Sequence, residues 1–428
     1  MNSTTGPAAG PATGPGAAAG FSRRALLGGA GAGLVAGAAG GAVLGRAGAA
    51  ASAPAGQPGS GQGGGAVGGG QVPFHGPRQA GIVEPQQARV HLAAFDLLPG
   101  AGREQLRTLL RRWSGTSARL GRGEPADEYE SRIAADAGPC SLTVTFGFGA
   151  TLFDKAGLAG RRPRALDPLP DFPEDAIDRA RSDGDLWVQI GADDALVAFN
   201  ALRVLQRQAA GTAAQRWQMT GFGRTPGATA RPMTGRNLMG QVDGTNNPRP
   251  QDQDFAAKVF CGADEPGWLA GGSYVVLRRI RMLLDNWENL PEDRQERVIG
   301  RRKSDGAPLS GGGEHTAVDL AAQNADGTLA VPADAHVRVA APASNGGAAM
   351  LRRGFSYHDG MLPDGSPDAG LLFLAFQADP RRGFVPVQRK LARGDSLSRF
   401  LRHEASGLYA VPPGAPEDGY VGQALLEG

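Results

Sequence analysis

The chain has 428 residues, enough for one large domain or two of medium size, each with its own core. Its 44 Lys and Arg against 42 Asp and Glu, a net of +2, argue against a strongly charged partner, and no basic run with interleaved aromatics marks a nucleic-acid surface. The two cysteines, Cys140 and Cys261, allow one disulfide but no disulfide scaffold, and neither sits in a CxxC or CxxCH context. Both read as small buried side chains.

The first element is an address. Residues 21–27 read Phe-Ser-Arg-Arg-Ala-Leu-Leu, then a Gly/Ala/Val/Leu run continues to about Leu44, and Ala-x-Ala sites follow at Ala47–Ala49 and Ala51–Ala53. A charged start, an apolar middle and a small-residue cleavage zone define an export signal over residues 1–53, and the paired Arg23 and Arg24 point to the twin-arginine route. A membrane anchor is the alternative, and the Gly/Ala content of the run argues against lasting membrane residence. The first 53 residues hold Arg23, Arg24 and Arg46 and no acid, so the remainder carries 41 basic and 42 acidic groups. The pI near 8.7 thus owes something to the leader. The twin-arginine translocon carries folded proteins, which raises the expectation of a cofactor and of an extracellular, cell-wall or periplasm-like destination. Residues 54–71 are Gly/Ser/Gln/Pro without apolar periodicity and read as a disordered tether, so the folded body is expected from Val72.

In the body, Ala88–Leu97 reads as a strand, and Leu106, Leu109, Leu110 and Trp113 recur at helical spacing. Ser141–Phe148 and Asp185–Gly191 are further strands. Asp193 and Asp194 open a helix through about Gln208, and a short strand follows around Arg216–Thr220. This order is that of a ferredoxin-like unit over residues 72–225, an antiparallel sheet with helices on one face. Over 226–428 the plan is expected to repeat in architecture, without a residue-level repeat. Strands are expected at Gly272–Met282, His336–Ala340 and Leu371–Gln377, and helices at Asp285–Ile299 and Asp395–His403. The fold class is therefore α+β, and two such units packed together make a cleft for a large flat ligand.

Three features carry chemistry. Among six histidines (75, 91, 315, 336, 358 and 403) no pair has the spacing of a HExxH zinc site, but one axial histidine suffices for haem b, and His336 opens Ala335-His336-Val337-Arg338-Val339. Gly240-Gln241-Val242-Asp243-Gly244-Thr245-Asn246-Asn247-Pro248 presents Asp243 at a tight bend whose glycines let backbone approach a flat ligand. Met350-Leu351-Arg352-Arg353 runs apolar residues into paired arginines. Each string alone fits a structural histidine, an ordinary Asp-Gly turn and two surface charges.

Together and in this order, they resemble the dye-decolourising peroxidase family, in the twin-arginine-exported branch that includes deferrochelatase-like members. The resemblance runs from about residue 73 to 414. It is carried also by Pro73–Ile82, Thr145–Gly149, Gly184-Asp185-Leu186, Asn237–Gly240, Ile299-Gly300-Arg301 and Phe373–Gln377. It implies two ferredoxin-like domains packed as a dimeric α+β barrel with haem in the cleft, and one haem b per chain. Carried over residue by residue, His336 matches the iron ligand, Asp243 the distal acid and Arg352, in preference to Arg353, the distal arginine. Gly244, Thr245 and Asn246, with Ala341, Pro342 and Ala343, match haem-lining positions. Arg301 is expected to meet a propionate, and Asp395 to bond the histidine's other nitrogen. Phe355 stands where many relatives have Tyr. Hydrogen peroxide and an aromatic or other one-electron reductant are the implied partners. A bulky donor outside the cavity would need surface-reachable aromatics as relays, for which Trp268, Tyr357 and Tyr409 are candidates beside plain core packing. Two alternatives stay open: a haem-handling protein that recovers iron with incidental peroxidase activity, and a ferredoxin-like protein without haem. The chain leaves the physiological reductant and a homo-oligomer undetermined.

Overall fold

The computed structural model describes residues 68–127, 130–229 and 233–428. The export signal and nearly all of the expected tether therefore lie outside the described residues. The tether's last residues are held in place, since the amides of Cys140 and Ser141 donate to the carbonyls of Gly68 and Gly70 at 3.0 and 2.6 Å. Ordered packing thus begins a few residues before Val72.

The N-terminal half runs β1 (Arg89–Leu97), α1 (Arg103–Leu120), β2 (Thr143–Phe148), α2 (Ala150–Lys155), β3 (Leu186–Ala192), α3 (Ala195–Ala209) and β4 (Ala213–Phe222). The C-terminal half runs α4 (Phe255–Val259), β5 (Ser273–Met282), α5 (Leu284–Glu288), α6 (Glu292–Ile299), α7 (His336–Val339), β6 (Leu351–Arg352), β7 (Phe355–Met361), β8 (Pro367–Gln377), α8 (Phe384–Gly394), β9 (Leu401–Val411) and α9 (Gln423–Glu427). The order of strands is β5-β9-β2-β3-β1-β4-β7-β8, and β8 pairs back to β5, so the sheet closes on itself. All the strand pairings are antiparallel. The short β6 lies on the same β8 edge as β7. Closure leaves the ring without a free edge.

Side-chain alternation fills both faces. Val90, Leu92 and Ala94 of β1, Trp187 of β3, Val275 and Leu277 of β5, and Leu372, Leu374 and Phe376 of β8 form one buried cluster inside the ring. The alternate residues Ala93, Phe95 and Leu97 pack outward against Leu106, Leu110 and Trp113 of α1 and Leu202 and Leu205 of α3. Asp194 caps α3, accepting from the amides of Leu196 and Val197. In the C-terminal half the outward face of β5, β8 and β9 is only partly covered, and a cavity opens there.

Three expected elements differ. His336–Ala340 is a helical turn and not a strand: the Ala340 amide donates to the His336 carbonyl at 2.9 Å, and Arg338 is drawn onto the carbonyls of Leu320, Val331 and Pro332. Tertiary bonds override the β-branched preference of Val337 and Val339. Asp395–His403 is not a helix; a 3₁₀ turn over Ser396–Phe400 gives way to β9, of which His403 is part. Asp285–Ile299 is two helices, broken before Pro291, whose missing N–H and ring suit a helix start. Both cysteines are buried and unpaired.

Candidate active site

The cavity lies between the sheet face of β5, β8 and β9 and the elements from α7 to α8, and encloses about 450 Å³. Its sheet wall is Ile280, Met282, Leu371 and Phe373, and Val387 and Leu391 of α8 face it. It accepts a mostly apolar, drug-sized or larger ligand.

Two acid–base pairs meet in it. His336, on α7, has Nδ1 2.7 Å from Oδ2 of Asp395, which is nearly enclosed and whose other oxygen accepts from the Leu397 amide at 2.9 Å. Nε2 of His336 makes no hydrogen bond among the described residues, and the residue lines the cavity. Burial works to lower the imidazole's pKa, but the Asp395 carboxylate outweighs it and holds His336 above its ordinary value.

The second pair is Asp243 and Arg352, with Oδ1 2.8 Å from Nη1. Asp243 ends a tight loop in which Arg236 bridges Val242 and the Asp243 amide donates to Gly235 at 2.9 Å. The loop is pinned by Trp287, whose indole N–H donates to the Met239 carbonyl at 2.9 Å. Gly244 takes φ +118°, a conformation that favours glycine, and turns the chain just after the acid. Burial pushes the Asp243 carboxyl up, but the Arg352 guanidinium and the Asn237 amide outweigh it and hold it below the usual carboxylate range. Arg352 itself is fixed through its backbone, which exchanges two hydrogen bonds with the Asn247 side chain at 2.7 and 3.2 Å. Arg353 points elsewhere: its guanidinium donates to the carbonyls of Glu84 and Pro85 and to Gln87 Oε1. Strand alternation therefore puts Arg352, not Arg353, in the cavity.

Arg301 follows Gly300, the left-handed C-cap of α6, and enters the cavity 8% exposed. Its Nη1 donates to the carbonyls of Gly306 and Glu314, at 2.8 and 2.9 Å. Arg352 has Asp243 as an ion-pair partner and Arg278 has Asp175, whereas Arg301 has no carboxylate partner among the described residues. Gly244, Thr245, Asn246, Ala341, Pro342 and Ala343 line the cavity as well. Thr245 also donates to Glu314 at 3.0 Å, and Asn345 ties the turn after α7 to the Val339 and Ala341 carbonyls. The residues present fit haem: an imidazole nitrogen without a hydrogen bond, a guanidinium without an ion pair among the described residues and an apolar lining share one space.

The relay candidates are not surface-reachable. Trp268, Tyr357 and Tyr409 are 4%, 1% and 0% exposed, and none lines the cavity. Tyr357 and Tyr409 point into the ring by strand alternation, and Trp268 packs on Phe148 and Phe153. Sequence reasoning missed Asn237, Asn247, Arg278 and His403 as parts of the site. Asn247 stands in the Asp243 string itself and Asn237 in the family-matching stretch just before it, which were their only signals.

A ligand-ready imidazole backed by a carboxylate, across from an acid–arginine pair, defines the site of a haem peroxidase. Residues 79–223 and 234–416 match the family models described as Dyp-type peroxidase, N-terminal and C-terminal. The "Dye-decolorizing peroxidase" of Thermobifida fusca is 45% identical over 361 residues, 82% of this chain and 84% of that protein. The "Deferrochelatase" of Escherichia coli K12 is 36% identical over 371 residues, 83% of this chain and 87% of that protein. The structure of ferric DtpA from Streptomyces lividans superposes with a TM-score of 0.83 at 64% identity, covering 85% of this chain and 98% of that one. The chain belongs to the DyP-type peroxidase family, whose members are haem proteins that act on peroxide and a reductant.

Proposed function

We propose that each chain binds one haem b in this cavity, with His336 Nε2 on the iron, and reduces hydrogen peroxide while oxidising aromatic, dye-like donors in one-electron steps. The observation that carries the reading is that His336–Asp395 and Asp243–Arg352 face one enclosed space. Haem, when bound, supplies cleavage of the peroxide bond and the one-electron oxidation of the donor. Asp395 orients His336 and raises its donor strength by accepting from Nδ1. Asp243, held ionised by Arg352, enters the reaction as the group that takes a proton from peroxide and returns it to the leaving oxygen. Arg352 stabilises negative charge developing beside it. Arg301 pairs with a propionate, and the turns at Gly244–Asn246 and Ala341–Ala343 border the macrocycle. Strand orders β4-β1-β3-β2 and β7-β8-β5-β9, each with helices between its strands, support reading residues 72–225 and 226–428 as two ferredoxin-like domains.

A purified, haem-reconstituted chain tests this by its absorption spectrum before and after one equivalent of hydrogen peroxide. The expected result is a Soret band that changes with peroxide, altered ligation in His336→Ala, and a peroxide reaction slowed at least about 100-fold in Asp243→Asn. A chain that takes up no haem overturns the reading. Haem bound through His336 with no response to peroxide favours the haem-handling alternative, for which a distal acid and arginine have no use. Export by the twin-arginine route rests on Arg23-Arg24 ahead of the apolar run, and a Lys-Lys replacement that leaves export intact would remove the basis for that route.

A further inference from the structure

The cavity has a second cationic corner that the peroxide chemistry leaves unused. Arg278 of β5 and His403 of β9 both line it. Arg278 is 1% exposed, ion-paired with Asp175 and within 3.2 Å of Ser406 Oγ, yet its Nε is enclosed and has no partner. His403 also has an enclosed Nδ1 without a partner. Its Nε2 forms no hydrogen bond among the described residues and, unlike Nδ1, is not an enclosed unpartnered atom. The strand is fixed here from outside, because the Ala176 amide donates to the His403 carbonyl at 2.9 Å. No hydrogen bond or ion pair among the described residues joins this corner to Asp243, Arg352 or Arg301.

Burial and the nearby Arg278 guanidinium push the His403 pKa down to about 3, so the ring is neutral, with one N–H and one lone pair. At this corner the Arg278 Nε–H, a donor, is likewise enclosed and unpartnered. With Nδ1 enclosed by protein, the tautomer that can serve a ligand in the cavity carries its proton on Nε2. Haem b carries two carboxylate arms, and Arg301 provides for one. We infer that His403 docks the other carboxylate arm of the haem, donating Nε2–H to it beside the positive field of Arg278. This inference rests on the haem reading above.

The test is the rate at which the reconstituted full chain loses haem to excess apomyoglobin. It is run for the parent, His403→Leu and His403→Gln, each loaded with haem b or with its dimethyl ester, which has no free carboxylate. His403→Leu should speed loss of haem b about tenfold, as expected for one hydrogen bond to a charged acceptor. His403→Gln, which keeps a donor, should stay within about threefold of the parent. With the dimethyl ester the Leu variant and the parent should differ by less than about twofold. Equal acceleration with both haems means that the residue only packs, and overturns the inference. So does an unchanged loss of haem b, even when KM for a carboxylate-bearing donor rises, because the arm docked there is then the donor's. A parent that takes up neither haem fails the haem reading itself.

Discussion

Arg352 and Arg353 share a side-chain type and a peptide bond, and their surroundings differ in every other respect. Arg352 faces the cavity with Asp243 as its partner. Arg353 is 6% exposed and bonded to two carbonyls and a glutamine, and burial lowers its pKa to about 10. Arg353→Leu should therefore cost about 2–4 kcal/mol of folding stability, because three acceptors, among them the buried Gln87 side chain, lose a charged donor. Arg352→Leu should change stability by less than about 1 kcal/mol and slow the peroxide reaction. Urea midpoints and stopped-flow rates on both variants check this, and the reverse pattern would mean that the distal arginine had been misassigned. Nothing in Met350-Leu351-Arg352-Arg353 alone tells the two apart. Which one enters the cavity depends on the register of β6 against β8, where Arg352 lies opposite Ala375. His336 and Asp243 were legible because each stands in a string of a known family, and Asp395 because a ligand histidine calls for an acid on its other nitrogen. For Tyr357 and Tyr409 the sequence leaves relay and core packing both open, because burial inside a closed ring is a property of the sheet and not of the local sequence.

At the scale of elements, the site depends on how α6 ends against α7. Gly300 takes φ +91°, and its amide closes α6 onto Glu296 at 2.6 Å. A Cβ there would lie 2.5 Å from Val337 Cγ2 and 3.1 Å from Val331 Cγ1, and Val337 directly follows His336. Gly300→Ala thus combines left-handed strain with a contact that α7 must move to relieve. A loss of about 1–3 kcal/mol is expected, together with faster haem release than in a surface Gly→Ala control such as Gly267→Ala. An unchanged haem release rate would show that α7 is not positioned by this cap. In the sequence Ile299-Gly300-Arg301 stands out only as a family-matching stretch, and α7 does not show as a helix. Val337 and Val339 alternate as in a strand, and only the carbonyls drawn to Arg338 make the segment turn. In the same way Leu397, Phe400 and Leu401 fall at helical spacing, although β9 starts at Leu401 because β5 offers it a partner edge. Strands β1, β2, β3, β5 and β8, by contrast, show themselves as apolar runs bounded by polar or glycine-rich segments.

Over the whole molecule, the two halves of the ring meet at thin seams. A single residue pair, Phe148 with Ala410, joins β2 to β9, and another, Phe222 with Ser356, joins β4 to β7. Additional attachment comes from the segment before β3. Its Asp178 and Asp183 amides donate to the carbonyls of Glu404 and Ser406 at 2.8 and 3.0 Å, and its Asp175 carboxylate pairs with Arg278. Burial pushes Asp175 up and Arg278 down, each toward its neutral form, so desolvation is not fully offset by the attraction between them. Such a pair holds the halves in register more than it adds net stability. Asp175→Ala, which strands the Arg278 charge, should cost about 3–5 kcal/mol, whereas Asp175→Leu combined with Arg278→Met should return to within about 1 kcal/mol of the parent. Urea denaturation of the haem-free chains supplies both legs of that cycle. A double variant as unstable as Asp175→Ala would instead make the ion pair a net source of the cohesion between the halves. In that case the His403 corner would be built on a bond the fold cannot give up.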